Sequence, residues 1–581
     1  MTENLTITNE RVDDIPLLLA QLERMQVAPL LDEYFPTHGN WQGLSLGTVA
    51  SVWLTFILSE ANHRLSQVEP WAGQRLTALA AGVGQPVRAL DFSDDRLAAV
   101  LDYLSADEPW EGFEQALNAQ TLRVYDLQPQ RVRIDSTTAK SYGTVTPEGL
   151  LQLGHSKDHR PDLPQVKINL SVLDPLGLPL TTTVVSGERA DDPLYVPEIQ
   201  RVQASLGRRG VTYVGDCKMA ALQTRATVAA SGDYYLCPLS STQLPAAELA
   251  EVLAPVWRGE QQLRPIYRPA DQSRPQRQRI AEGYEYRVEL TGQVGDQEVQ
   301  WTERRLVVRS LKLAATQERA VRQRLAKARQ ELATLNVRRQ GKKRFTQAAD
   351  LRVAAEQIVA THRVVGLLSV SVETQTTKRR LRRYGARPAG GRVEPTRTVT
   401  ARVDEAALAT TLRSLGWRVY ATNQPARQLS LTQAVLAYRA EYLVEHGFGR
   451  LKGKPLALTP LYLDSDERVT GLIRLLTIGL RVLTLLEFGA RRQLQDEGSQ
   501  VAGLYPGNPT RATARPTTEL MLRAFEGLTL TLLSEGSRVR VHLTPLTTVQ
   551  RRILELLDLS PTIYLRLAQH CSEPMLNLSE P

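Results

Sequence analysis

Between residues 131 and 216 the apolar and β-branched residues come in short runs, and the spacing of those runs narrows the possible folds more than any other feature of the chain. RVRID (131 to 135), QVKINLSVLD (165 to 174), LPLTTTVVSG (178 to 187) and VTYVGD (211 to 216) each have the length and composition of a strand. DPLG between the second and third runs is a turn signal and predicts a hairpin. The segment from Pro193 to Leu206 has helical spacing and precedes the last run. Strands joined first by a hairpin and then through a helix predict a mixed α/β sheet with flanking helices. Asp135 and Asp216 close their runs, and the pattern predicts both at strand ends, where a rigid scaffold presents a side chain.

The flanks differ. Up to residue 127 the chain reads as a helical domain, with DDIPLLLAQLERM, LGTVASVWLTFILSE, DDRLAAVLDYLS and WEGFEQALN as periodic segments and Ser93 or Asp94 as a cap before the third. SLGTVASVWLTFILSE is the most membrane-like stretch, but its apolar part is too short to span a bilayer, so a buried helix is expected and no membrane partner. The first twenty residues lack a basic segment followed by an apolar one, so no signal peptide is expected. Cys217, Cys237 and Cys571 are isolated, which indicates neither a zinc site nor a disulfide framework and fits a reducing compartment.

After the first part of the core (128–216) comes a long insertion, 217–412, before sheet patterning resumes at GWRVYATN in a second core part, 413–495. Within the insertion, YEYRVEL, QEVQWTERRLVVRS and VVGLLSVSVE read as strands, with Trp301 in a core position. Val321, Leu325, Ala328, Leu332 and Leu335 recur at helical spacing, followed by GKKR and a second helical run, which predicts an α-hairpin with a basic tip. TKRRLRRYGARPAGGRVEPTR reads as an exposed loop. DERVTGLIRLLTIGLRVLTLLEF reads as a buried helix, and 496–581 as a small C-terminal helical region.

Charge is concentrated. Residues 301 to 400 hold 24 Lys and Arg against 7 Asp and Glu, a balance of +17, while the whole chain carries +9. A basic block of this kind is an electrostatic footprint for phosphates and points to DNA as partner, with Lys342, Lys343 and Arg344 at the hairpin tip among its contacts.

YRAEYLVEHGFGRLKG (438 to 453) adds a helix-borne carboxylate. On an unbroken helix Tyr438, Glu445 and Lys452 share one face, with Glu441 one turn from Glu445. Gly447 and Gly449 each cost about 1 kcal/mol in a helix interior, which predicts a close approach of another backbone. Asp135, Asp216 and this glutamate are hard oxygen ligands of the type that hold Mg²⁺ or Mn²⁺, and two such ions about 4 Å apart can stabilise both the attacking and the leaving oxygen of phosphoryl transfer.

RIDSTTAKSYG (133 to 143), GHSKDHRPDLPQVK (154 to 167), VGDCKMAA (214 to 221) and YRAEYLVEHGFGRLKG together resemble a DDE transposase of a bacterial insertion sequence, in the insertion-sequence-four-like superfamily whose catalytic helix bears a Y-x2-R-x3-E-x6-K signature. The resemblance covers essentially the whole chain. It implies an RNase H-like catalytic core interrupted by an insertion between the second aspartate and the glutamate. It also implies Asp135, Asp216 and Glu445 as catalytic ligands of two Mg²⁺ or Mn²⁺ ions, and Tyr438 and Lys452 as DNA contacts, with Arg439 expected as a further DNA contact beside them. Where the signature has arginine this chain has Glu441, with Arg439 two positions earlier, which makes Glu441 the rival for the third ligand. The implied activity is cleavage at element ends to leave a 3′-OH, then its joining to target DNA. A homodimer would hold two terminal inverted repeats in a synaptic complex in the bacterial cytoplasm, associated with the nucleoid when bound. The alternatives are a catalytically silent DNA-binding protein descended from such an enzyme and an RNase H-like nuclease without strand transfer.

GHSKDHRPDLPQ gathers His155, Asp158, His159 and Asp162 but lacks zinc-hydrolase spacing, so it is expected as a loop beside the sheet with Lys157 and Arg160 facing DNA.

Overall fold

The computed structural model describes residues 5–270, 275–337, 345–381, 390–463, 465–535 and 538–570. The chain forms two compact units, one of residues 1–237, 289–302 and 437–581, the other of 238–288 and 303–436. The helical N-terminal segment, the first core strands and the C-terminal segment therefore share one unit.

The first unit is built on a mixed sheet of β1 (Arg131–Lys140), β2 (Gln165–Leu173), β3 (Leu178–Ser186), β4 (Thr212–Val214) and β5 (Tyr234–Pro238), ordered β3-β2-β1-β4-β5. β1, β2 and β3 are successive antiparallel neighbours, whereas β4 runs parallel to β1 and β5 parallel to β4. Every residue of β2 is buried, as expected for a central strand covered on both faces. The DPLG turn closes β2 onto β3 through Gly177, whose φ of +71° favours glycine.

Helix α1 (Tyr195–Leu206) buries Tyr195, Glu198, Ile199 and Val202, one stripe at helical spacing, and ends on left-handed Gly207. α2 (Leu222–Ala230) connects β4 to β5. The glutamate-bearing helix α3 (Tyr442–Lys452) is followed by α4 (Asp466–Asp496), which Ser465 caps by accepting from the Arg468 amide. α4 is long and apolar enough to cross a membrane, but 94% of its most apolar window is buried inside the protein. Its arginines are bonded internally, with Arg481 donating to Asn118 Oδ1 at 2.6 Å and to the Leu180 carbonyl at 2.7 Å. The helix Leu46–Glu60 is likewise buried along nearly its whole length.

Three features of this unit differ from the sequence expectation. The N-terminal segment is not wholly helical, because Thr6–Arg11 is a strand paired with Thr529–Glu535, and that strand pairs in turn with Arg538–Leu543. The C-terminal region therefore contributes strands as well as the helices Thr548–Leu556 and Thr562–His570. Asp135 lies mid-strand, since Thr137 and Thr138 prolong β1 and pair with Ile168 and Lys167. Trp301 is buried as expected, its indole Nε1 donating to the Tyr235 hydroxyl at 2.8 Å.

In the second unit the helices Leu311–Leu335 and Ala348–Thr361 pack through Val321, Leu325, Ala328 and Leu332 against Leu351, Ala355, Ile358 and Val359. The segment expected as a loop is partly a ribbon, because Leu368–Leu381 and Gly390–Val403 are antiparallel partners over their whole length. Val370 and Val372, in the run read as a strand, and Val399 beyond the segment favour the pleated state, and the pairing between them extends into the turn-rich stretch.

Candidate active site

The parallel pair β1 and β4 sets the site. Arg131 stands opposite Thr212, Val132 opposite Tyr213 and Arg133 opposite Val214, where the ladder ends: Asp135 lies two residues further along β1, and Gly215 and Asp216 follow the end of β4. Neighbouring strands are about 4.8 Å apart, so two residues distant in sequence meet across one strand spacing. Both aspartates line one small cavity with Arg133, Gly215, Tyr438 and Glu441. Gly215 is required by space, because a Cβ there would stand 2.7 Å from Met219 Sδ and 2.9 Å from the Tyr195 ring.

Both carboxylates receive their protein hydrogen bonds through Oδ1. Asp135 accepts from the Ser136 amide at 2.8 Å, with Lys157 Nζ at 3.5 Å, and Asp216 accepts from the Tyr195 hydroxyl and the Lys218 amide, each at 2.8 Å. Burial pushes the Asp135 carboxyl above the ordinary range; Lys157 and the Ser136 amide oppose this and the charge of Asp216 adds to it. Tyr195 is deeply buried, and burial together with the neighbouring Asp216 and Asp135 holds its phenol protonated. It is thus a fixed donor that orients Asp216.

A second layer of charge supports the first. Lys157 Nζ reaches the Ser136 carbonyl and lies 3.0 Å from Ser136 Oγ, which donates to Asp191 Oδ1 at 2.8 Å. Lys167 Nζ meets the same Asp191 oxygen at 2.8 Å. Burial alone would raise the Asp191 carboxyl, yet the bonds from Lys167 and Ser136 outweigh it and hold the group below its usual range. Ser136 and Lys167 lie within the stretches that carry the resemblance and Asp191 and Tyr195 outside them, but no spacing in the sequence links the four; the fold assembles them.

The helical side is not one continuous helix. After the helix Leu431–Tyr438, a tight turn over Arg439–Glu441 takes Ala440 out of helical geometry at φ −81° and ψ 16°, and α3 begins at Tyr442. The kink cancels the face on which Tyr438 and Glu445 would have coincided. Tyr438, which is buried, and Glu441 line the cavity with the aspartates, whereas Glu445, one turn further along and exposed like Glu441, is not among the lining residues. Arg439 is half-buried within the turn.

Lys452, at the end of α3, points its ammonium at Asp158 Oδ1 at 2.6 Å and lies 3.4 Å from the Thr138 carbonyl. Lys157 turns inward to Asp135 and Ser136, while Arg160 is partly exposed and forks onto Asp162 at 2.6 and 2.8 Å. Among the described residues no backbone from another element approaches the two glycines of α3. Gly449 has open space around it, and the nearest atom to a Cβ on Gly447 is a Leu480 methyl at 3.7 Å. Lys342, Lys343 and Arg344 lie outside the described residues.

Among the described residues no three His, Cys, Asp or Glu side chains converge as a ready-made metal cage. The donor set nonetheless suits a hard divalent cation: two carboxylates side by side, both bonded to the protein through one oxygen, with a third carboxylate on the same cavity wall.

No family model matches the sequence, and no curated protein matches it. Among solved structures the chain is similar to the piggyBac transposase in a synaptic complex with hairpin DNA, determined by cryo-EM. Identity is 9%, the alignment covers 99% of this chain and 89% of that one, and the TM-score is 0.32, too slight a likeness to carry an argument.

Proposed function

We propose that the chain is a DDE-type DNA transposase, which cleaves element ends and joins the resulting 3′-OH to target DNA as a dimer in the bacterial cytoplasm. The observation that carries this reading is the convergence of Asp135 and Asp216, two residues past the last paired positions of β1 and β4, on one cavity with Glu441 on its wall. Supporting it, the strand order β3-β2-β1-β4-β5, with three antiparallel strands followed by two parallel ones, is the order expected of an RNase H-like core.

In this reading Asp135 and Asp216 hold Mg²⁺ or Mn²⁺, with the third carboxylate supplied by the Glu441 and Glu445 pair; position in the cavity favours Glu441. Bound cations supply Lewis-acid stabilisation of the attacking and leaving oxygens. The chain's own groups orient these ligands. Tyr195 and the Lys218 amide fix the rotamer of Asp216, and the Ser136 amide fixes that of Asp135. Lys157 and Lys452, each now paired with a carboxylate, would transfer to backbone phosphates when DNA enters.

The test incubates purified protein and Mg²⁺ with the DNA ends that flank its gene and a target plasmid. Joined products establish the transposase, and hydrolysis without joining makes the protein a nuclease of the same chemistry. Binding without either reaction makes it a silent DNA-binding protein.

A further inference from the structure

Beyond the carboxylate cavity, the segments that follow β1 and α3 carry an exposed aromatic pair. Tyr142 is 57% and Tyr462 68% exposed, and their rings stack at 5.8 Å with an interplanar angle of 25°. A single exposed ring is ordinary, but two rings stacked on each other form a contiguous aromatic surface open to solvent. Their backbones are rigidly joined: the Tyr142 amide donates to the Leu461 carbonyl at 3.1 Å, the Leu461 amide to the Lys140 carbonyl at 3.0 Å, and Ser141 Oγ to the Leu461 carbonyl at 3.2 Å. Tyr142 lies two residues beyond the end of the Asp135 strand. Tyr462 follows a segment tied to the end of α3, because the Lys452 carbonyl accepts from Thr459 Oγ1 at 3.1 Å.

The path from the carboxylates to the rings is lined by cations. Lys157 lies at Asp135 and Ser136, Lys452 at Thr138, and Arg160 beside the Tyr142 hydroxyl. At about 3.3 Å per residue these stations span on the order of 20 Å along the strand direction. Lys452 and Arg160 have Asp158 and Asp162 as partners, and partly exposed ion pairs of this kind, worth about 0 to 1 kcal/mol, yield readily to a phosphate.

We infer that Tyr142 and Tyr462 form a stacking platform for unpaired bases of a DNA strand whose phosphates follow the Lys157, Lys452 and Arg160 track. A duplex hides its base faces, so the platform takes an unpaired end or a distorted flank and not an intact helix. The inference rests on the DNA reading proposed above but not on catalysis.

The test is fluorescence anisotropy of the full chain in EDTA with three labelled probes: a blunt duplex, the same duplex with a short unpaired extension, and an oligo-dT strand. Wild type is expected to prefer the extended duplex and the single strand. Tyr142→Ala with Tyr462→Ala should lose about tenfold or more on those two probes and little on the blunt duplex. The paired Phe variants, which keep the rings, should bind as wild type. Equal loss on all probes, no loss in the Ala variant, or no wild-type preference overturns the platform and leaves the DNA reading standing. No binding of any probe by wild type overturns both.

Discussion

Arg133 grips both oxygens of Asp174, Nε to Oδ1 at 2.7 Å and Nη2 to Oδ2 at 3.0 Å, and both side chains are 3% exposed. The same guanidinium donates to the Ala437 carbonyl, one residue before Tyr438. The pair therefore ties the Asp135 strand, through the β2–β3 turn, to the segment that delivers Tyr438 and Glu441. Arg133→Met leaves Asp174 buried with only Arg131, at 3.3 Å, as its remaining cation. Loss of one partner of a buried pair costs about 3 kcal/mol or more. A urea midpoint within error of wild type would show that the pair is dispensable.

Asp216→Asn keeps the shape just past the end of β4 and the Lys218 amide contact but removes one negative charge from the proposed cation site. Cleavage should fall at least a thousandfold, on the order of 4 kcal/mol in activation free energy, while binding of element ends persists. Divalent-ion titration followed by calorimetry should show weakened uptake. Cleavage at wild-type rate would remove Asp216 from the ligand set.

The kink at Ala440 makes Glu441 and Glu445 separable. If the cavity geometry governs, Glu441→Gln abolishes joining while Glu445→Gln retains most of it. The reverse pattern would show that the turn straightens when DNA binds, returning Glu445 to the face the sequence spacing describes. Parallel assays of the two variants on one substrate decide between these arrangements.

Gly471 and Gly449 sit on helices of the same unit with opposite surroundings. A Cβ on Gly471 would stand 2.1 Å from the Leu101 carbonyl oxygen, so α4 and the helix Asp94–Leu104 cross at a point where only glycine fits. Gly471→Ala should cost about 1 to 3 kcal/mol or more through forced separation of two backbones. Gly449→Ala meets nothing within 4 Å and should stabilise by about 1 kcal/mol. Destabilisation by Gly449→Ala would reveal a contact absent from the free protein.

The sequence disclosed most where a local pattern decides the structure. The runs that became β1 to β4, the DPLG turn and the stripe Tyr195, Glu198, Ile199, Val202 are local, and each appears where its period predicts. The pairing of Thr6–Arg11 with Thr529–Glu535 was illegible, because it depends on two segments more than 500 residues apart finding complementary edges. At the site, Asp135 and Asp216 could be singled out as polar ends of apolar runs. Their coincidence is a matter of strand register, which no single run encodes. The contacts that join Ser136, Lys167, Asp191 and Tyr195 were hidden for the same reason, and the kink at Ala440 was hidden because Y-R-A-E-Y has nothing that breaks a helix by propensity.

Asp14 offers a test of the fold away from the site. It precedes the helix Ile15–Arg24, is buried, and accepts from Ser59 Oγ at 2.6 Å. Burial pushes its carboxyl up to about 7, Asp13 and Glu60 adding to the rise and Ser59 opposing it. The folded state thus holds this proton more tightly than the unfolded chain, whose carboxyl titrates near 3.8. Its contribution is complete below about pH 4 and is lost as pH rises through about 7. Asp14→Asn should remove that part of the slope. Glu114, buried and also raised to about 7, keeps its own slope in both proteins, so the difference between them isolates Asp14. At 1.36 kcal/mol per pH unit, the variant should gain on wild type by roughly 3 kcal/mol between pH 5 and pH 8, as an upper value. Urea midpoints of both proteins at pH 5, 6, 7 and 8 measure this directly, and parallel curves would mean that Asp14 is already ionised in the folded chain at pH 5.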